Sequence, residues 1–237
     1  MGASAEKVLV LAPHADDETI GMGATISQLS RNGTRVVVVL ITVAQPKLSR
    51  YGHLNPARTK EFSLAVEALG AEPELGLSIL DEIGRISLRA YDELKLPSSP
   101  ELAEQILRTI KRHSPDYLYI PHWHEMHQDH RAVSAAAKVA SRPFLPHRLK
   151  GVYAYFCDSV WSFGTDLVRP NLIYRVSTED LENKRKAMAI YRREIDPETL
   201  HPRNPIALEA ATTLNGYRVG TSSAELFETL WEVRGCA

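Results

Sequence analysis

Cysteine is nearly absent: the 237 residues contain only Cys157 and Cys236. The two are far apart and form neither a disulfide framework nor a zinc-thiolate spacing, so a reducing, cytoplasmic setting is expected. Long apolar runs are missing too. No window approaches the ~20 apolar residues of a membrane span, and no membrane partner is expected. The apolar stretch near the first residue is too short for a secretory leader and runs straight into a polar cluster. Glu6 occupies the position where an acylation signal carries Ser or Thr, so no myristoyl anchor is expected. Lys plus Arg total 28 against 29 Asp plus Glu, a net charge of -1. A nucleic-acid partner would call for a basic excess, and none is present. There is no internal repeat, no low-complexity tract and no compositional break, which predicts one domain over 1–237. With 44% hydrophobic and 24% charged residues, the composition is that of an ordinary globular chain.

What is present begins with buried strands. Residues 7–11 are mostly Val and Leu, and 35–42 (RVVVVLIT) is the strongest strand in the chain. Its unbroken apolar run predicts burial on both faces, as in a parallel sheet. A helix over 19–31 separates the two and makes a right-handed βαβ unit. Further helices are predicted over 57–69, from 99 or 100 to 112, over 131–141, from a capping box at Thr178 to about 193, and over 206–215 and 224–233. Further strands are predicted over 74–80, 116–120, 152–156 and 172–176, with 81–100 as an excursion over the surface. The expected fold class is α/β: Rossmann-like, with a mostly parallel sheet flanked by helices and an active site at the carboxyl ends of the strands.

Two polar clusters follow buried strands, each through a Pro-His step. The first is Pro13-His14-Ala15-Asp16-Asp17-Glu18, and the second runs from His122 to His130 (HWHEMHQDH). His14 and Asp17 are three apart at a helix start, where such residues share a face. His127 and His130 repeat that spacing. Two His and one Asp make a metal set with an open position, as a catalytic zinc site requires. Asp16 is then left over as a general base, and His127 as a proton donor or oxyanion partner. Two rival motifs fail. His124-Glu125 begins like a zincin helix, but Gln128 stands where the second His belongs. Gly21-Met22-Gly23 begins like a dinucleotide fingerprint, but Ile26 stands at the third glycine and the glycines lie too far past the strand.

PHADDE with a later HQDHRAV resembles the LmbE/PIG-L family of metal-dependent N-deacetylases. Arg58-x-x-Glu61, the helix from Lys184 to Tyr191 and the late Ala224-Glu225-Leu226-Phe227 fit the same pattern. The resemblance implies zinc, or ferrous iron as the alternative, on His14, Asp17 and His130. It implies Asp16 as general base, and His127 as oxyanion stabiliser and proton donor to the leaving amine, oriented by Asp129. It implies substrate contacts at Arg58 and Asp81, and around the site Trp123 and Trp161 are candidate stacking surfaces for a sugar. An N-acetylated sugar is the implied small-molecule substrate, and a homo-oligomer is compatible with the chain. Departures are Ala15, where many members carry Pro, Glu125, where an Asp or Tyr is common, and 43–46, which lacks the usual Gly-containing pattern.

Overall fold

The structure is a computed structural model that describes residues 5–43, 55–80, 83–157, 170–191 and 204–234. Asp81, Trp161 and the loop after Val43 lie outside the described residues.

The centre of the molecule is β1 (Lys7–Ala12), followed by α1 (Asp17–Arg31) and β2 (Arg35–Leu40). A short β3 (Thr42–Val43), α2 (Asn55–Ala68) and β4 (Glu72–Leu75) come next. A hairpin of β5 (Leu77–Leu80) and β6 (Ile86–Arg89) leads to β7 (Tyr91–Asp92) and α3 (Ser99–His113). Then come β8 (Tyr117–Pro121), α4 (Gln128–Ala140) and β9 (Gly151–Tyr155). The described chain closes with β10 (Leu172–Arg175), α5 (Thr178–Ile190), α6 (Pro205–Arg218) and β11 (Ala224–Glu232).

Seven strands form one sheet in the order β10-β11-β9-β8-β1-β2-β4. β4, β2, β1, β8 and β9 are parallel, while β11 runs antiparallel to both β9 and β10. Both faces of β1 are covered, and its side chains alternate between two cores. Val8, Val10 and Ala12 pack with Ile20, Ile26, Phe62 and Met188. Leu9 and Leu11 pack with Leu102, Ile106, Ile110 and Val133. This double burial explains why the strand reads as a continuous apolar run. Each fully buried Leu or Val contributes roughly 1.5–3 kcal/mol relative to exposure. The chain winds to one side of β1 through β2 and to the other through β8. The reversal of winding opens a crevice between the carboxyl ends of β1 and β8, where α/β sheets bind ligands. No helix among the described residues is long and apolar enough to cross a membrane.

Three sequence expectations are corrected. Residues 224–233 form a strand, not a closing helix. Ala, Glu and Leu favour a helix locally, but β11 hydrogen-bonds on both sides, and a register shift between Thr229 and Trp231 spoils the alternation that would have betrayed it. The single strand expected at 74–80 is two, broken at Gly76. There φ is +94°, and an added Cβ would lie 2.4 Å from the Arg89 carbonyl carbon. The capping box of α5 is closed by Ser177 and Asp180, one residue earlier than expected.

Candidate metal centre

Pro13 follows β1, and its carbonyl accepts both Thr42 N–H (3.0 Å) and the Thr42 hydroxyl (2.7 Å), which fixes the departing chain against β3. Beyond Pro121, His122 N–H donates to Tyr155 O at 2.9 Å and ties the end of β8 to β9. These anchors bring the two polar clusters face to face.

His14, Asp17 and His130 meet in a triangle of ligand atoms. His14 Nδ1 lies 3.2 Å from His130 Nε2 and 3.3 Å from Asp17 Oδ2, and His130 Nε2 lies 3.0 Å from Asp17 Oδ2. A tetrahedral ion with bonds of ~2.0–2.1 Å holds its ligands about 3.3 Å apart. The donor set and its spacing therefore fit a divalent metal with an open fourth position. Two imidazoles and a carboxylate suit zinc, and also ferrous iron. Two further sets, His14 with His127 and His130, and Asp17 with His130 and Cys157, each have ligand atoms within 4.8 Å of one another.

Each candidate ligand has a partner behind it. His14 Nε2 lies 3.0 Å from Asp129 Oδ2, a partner that would keep a proton on Nε2 and leave the Nδ1 lone pair for an ion at the triangle. Asp129 Oδ2 also accepts Leu94 N–H at 3.0 Å, so the excursion at 81–100 reaches into the site. Asp129 reaches two histidines: its carboxylate lies 3.0 Å from His14 Nε2 and 4.0 Å from His127 Nδ1. His127 is the N-cap of α4, and its Nδ1 accepts Asp129 N–H at 3.2 Å, so it is the Asp129 backbone that holds the His127 ring. With Nδ1 accepting, the ring carries its proton on Nε2. His127 also sets its ring against His14 at 4.4 Å and is 43% exposed at the mouth of the site.

The electrostatics without metal follow from this crowding. Burial opposes a charge on His14, but the Asp129 and Asp17 carboxylates overcome it and raise its pKa to about 10. Burial likewise opposes the Asp17 carboxylate, and His130 and His14 hold it well below the usual range. Burial, with the neighbouring His14 and His130, pushes His127 down to about 4.

Asp16 is buried and takes a left-handed backbone, φ 116° and ψ -24°. Three contacts hold it there. Its N–H donates to Glu18 Oε2 at 3.2 Å, its Oδ2 pairs with Arg58 Nη2 at 3.3 Å, and Arg58 also donates to Ala15 O. Arg58 makes the ion pair with Glu61 as well, at 3.6 Å, and lies 5.1 Å from the centre of the Tyr191 ring. Burial pushes Glu18 up to about 7, against hydrogen bonds from Thr19 and Tyr191. Trp123 is stacked on His122 at 4.1 Å, with Lys138 Nζ 4.8 Å from its ring, so packing engages the ring.

Two residues beside the ligands gave no usable signal in the sequence. Cys157 donates its thiol to Asp17 Oδ1 at 3.7 Å and its N–H to Glu125 Oε1 at 2.8 Å. Glu125 Oε2 stands 3.9 Å from His130 Nδ1, which is buried and has no hydrogen bond among the described residues. Glu125 thus stands behind His130 on the side away from the triangle, at a distance longer than the hydrogen bond that joins Asp129 to His14.

A doubly wound sheet with a His/Asp donor triangle at its switch point defines an α/β protein with a candidate metal centre. Residues 9–141 match the PIG-L family, described as GlcNAc-PI de-N-acetylase, and the chain belongs to that family. It is 30% identical over 135 residues to the diacetylchitobiose deacetylase of Thermococcus kodakarensis, a match covering 53% of this chain and 45% of that one. The chain thus spans about half the length of that relative. Among solved structures it resembles the N,N'-diacetylchitobiose deacetylase of Pyrococcus horikoshii, with a TM-score of 0.74 and 24% identity over 95% of this chain and 84% of that one. The 4-carboxy-2-hydroxymuconate hydratase GalB of Pseudomonas putida KT2440 is similar too, with a TM-score of 0.72 and 15% identity over 98% of this chain and 99% of that one. These two likenesses are of fold, and the fold serves more than one reaction.

Proposed function

We propose that this chain is a zinc-dependent N-deacetylase that removes the acetyl group from an N-acetylglucosamine-containing small molecule or glycoside, giving acetate and a free amine. The observation that carries this reading is the triangle of His14 Nδ1, Asp17 Oδ2 and His130 Nε2, with Asp16 beside it in the chain and His127 at its mouth. Membership of a de-N-acetylase family supports the same substrate class. His14, Asp17 and His130 would hold a divalent metal, which would supply Lewis acidity to the amide carbonyl and lower the pKa of water. Asp16 takes the proton of the attacking water, held in place by Arg58 and by its own hydrogen bond to Glu18. His127, with its proton on Nε2, donates to the carbonyl oxygen as charge develops there. Loss of one such donor costs ~100- to 1000-fold in rate. The proton collected by Asp16 leaves with the amine.

The test separates the proposed general base from a proposed metal ligand. Asp16→Asn is expected to bind metal at wild-type stoichiometry and lose turnover, whereas His14→Ala loses the metal. Near-normal turnover by Asp16→Asn would sink the general-base role. The fold-level likeness to a hydratase supports a second reading, a metal-dependent enzyme with another substrate. A panel of N-acylated, O-acylated and unsaturated substrates distinguishes the two.

A further inference from the structure

α1 is not one helix. Met22, at φ -152° and ψ 23°, breaks it between Gly21 and Gly23. In an unbroken helix Ala24 N–H would bond to Ile20 O, and Thr25 N–H to Gly21 O. A buried ion pair occupies that gap. Lys184 Nζ donates to Ile20 O at 2.8 Å and pairs with Glu225 Oε1 at 2.6 Å. Glu225 accepts Ala24 N–H at 3.2 Å on Oε1 and Thr25 N–H at 2.7 Å on Oε2. The cation thus caps the carboxyl end of the first segment and the anion caps the amino end of the second, the arrangement that helix dipoles favour. The glycines make room. A Cβ on Gly23 would meet Lys184 Cγ at 3.2 Å, and one on Gly21 would meet Tyr155 Cδ2 at 2.3 Å.

The first segment is the turn that carries Asp16 and Asp17. It closes on itself through Ile20 N–H to Asp16 O at 2.8 Å, and Ile20 O is the group that Lys184 holds. α5 grips both segments. Asp180 accepts from Ser27 at 2.9 Å and from Arg31 Nε at 3.0 Å on the second segment. Lys184 sits at the break. Tyr191, at the carboxyl cap of α5, donates to Glu18 Oε1 at 2.6 Å on the first. Lys184 and Tyr191 are seven residues, about two turns, apart and so share a helix face.

We propose that α5 is a splint for the broken helix, and that the Lys184–Glu225 pair is a positioning device that sets the metal-binding turn and with it the affinity for the ion. This rests on the metal site proposed above. Lys184, Tyr191 and Glu225 lie in the carboxyl-terminal part of the chain, after the span 9–141 that the family model covers. The splint therefore gives the carboxyl-terminal third of the chain a role in the metal centre without contributing a ligand to the triangle.

The test is metal affinity, read by competition with a zinc chelator, together with the visible spectrum of the cobalt-substituted protein. Lys184→Met with Glu225→Gln removes both charges together, since removing one alone would leave the other buried and uncompensated. The expected result is a folded protein whose zinc affinity falls about 10- to 100-fold, the range typical when a group that orients a ligand is lost, with a shifted cobalt spectrum. A lower melting temperature with unchanged zinc affinity and an unchanged spectrum would mean that the pair is structural only, and would overturn the inference. If the double variant fails to fold, Gly23→Ala decides. Its added Cβ presses on Lys184 while both charges remain, and it is expected to weaken zinc binding in the same direction; unchanged binding overturns the inference. Wild-type protein that binds no metal would overturn the proposed function itself, an outcome distinct from wild-type binding that the variants leave untouched.

Discussion

Asp129 holds the far nitrogen of His14, and its own carboxylate is pinned by the Leu94 amide. Burial resists its charge, and these two hydrogen bonds keep its pKa below the usual carboxylate value. Asp129→Asn is therefore expected to lower metal affinity about 10- to 100-fold, measured by chelator competition, while His127→Ala leaves affinity near wild type and lowers turnover. Cys157 offers a rival donor beside Asp17 and His130. The account places its thiol behind Asp17, so cobalt-substituted protein is expected to lack a thiolate-to-cobalt charge-transfer band. A band that disappears in Cys157→Ser would move the ion onto sulfur. At this scale the sequence was legible where spacing carries chemistry: His14 and Asp17, three apart, share a helix start, and His130 lies on the facing helix. The partners behind the ligands were not legible. Glu125 and Cys157 are 32 residues apart and meet only because β8 and β9 are neighbours.

Elements set the precision of the site through their ends. The Ser177–Asp180 capping box starts α5, and Asp180 also carries the contacts to Ser27 and Arg31. Ser177→Ala is expected to cost ~1 kcal/mol of stability, the usual loss for an N-cap, as read by urea unfolding. Gly21→Ala should be worse than that. A Cβ there would lie 2.3 Å from a fully buried Tyr155 ring, and overpacking of this kind costs about 1–3 kcal/mol or more. The same measurement checks it, and a neutral Gly21→Ala would mean that α1 can move off the sheet. Strands buried on both faces, such as β1 and β2, announce themselves in the sequence because nothing polar interrupts them. β11 does not, because its pairing partners are distant and its bulge erases the period. The break in α1 was hidden for a related reason. Gly21 and Gly23 are visible, but the ion pair that fills the gap comes from positions about 160 and 200 residues later in the chain.

The seven-stranded sheet is shared by both halves of the chain. β9, β10 and β11 lie beyond residue 141, yet β9 pairs with β8 along the strand that leads to the second polar cluster. A fragment ending at residue 141 is thus expected to show no cooperative unfolding transition, as followed by circular dichroism, even though it contains all three proposed ligands. The central claim is that these ligands hold a metal that makes the chain a deacetylase. The most direct test is acetate release from N-acetylglucosamine glycosides by metal-stripped protein before and after stoichiometric zinc is restored. The account predicts no release before addition and restored release after it. Release at the same rate from the stripped protein, or none from fully zinc-loaded protein across a broad panel of N-acetylated sugars, would contradict it.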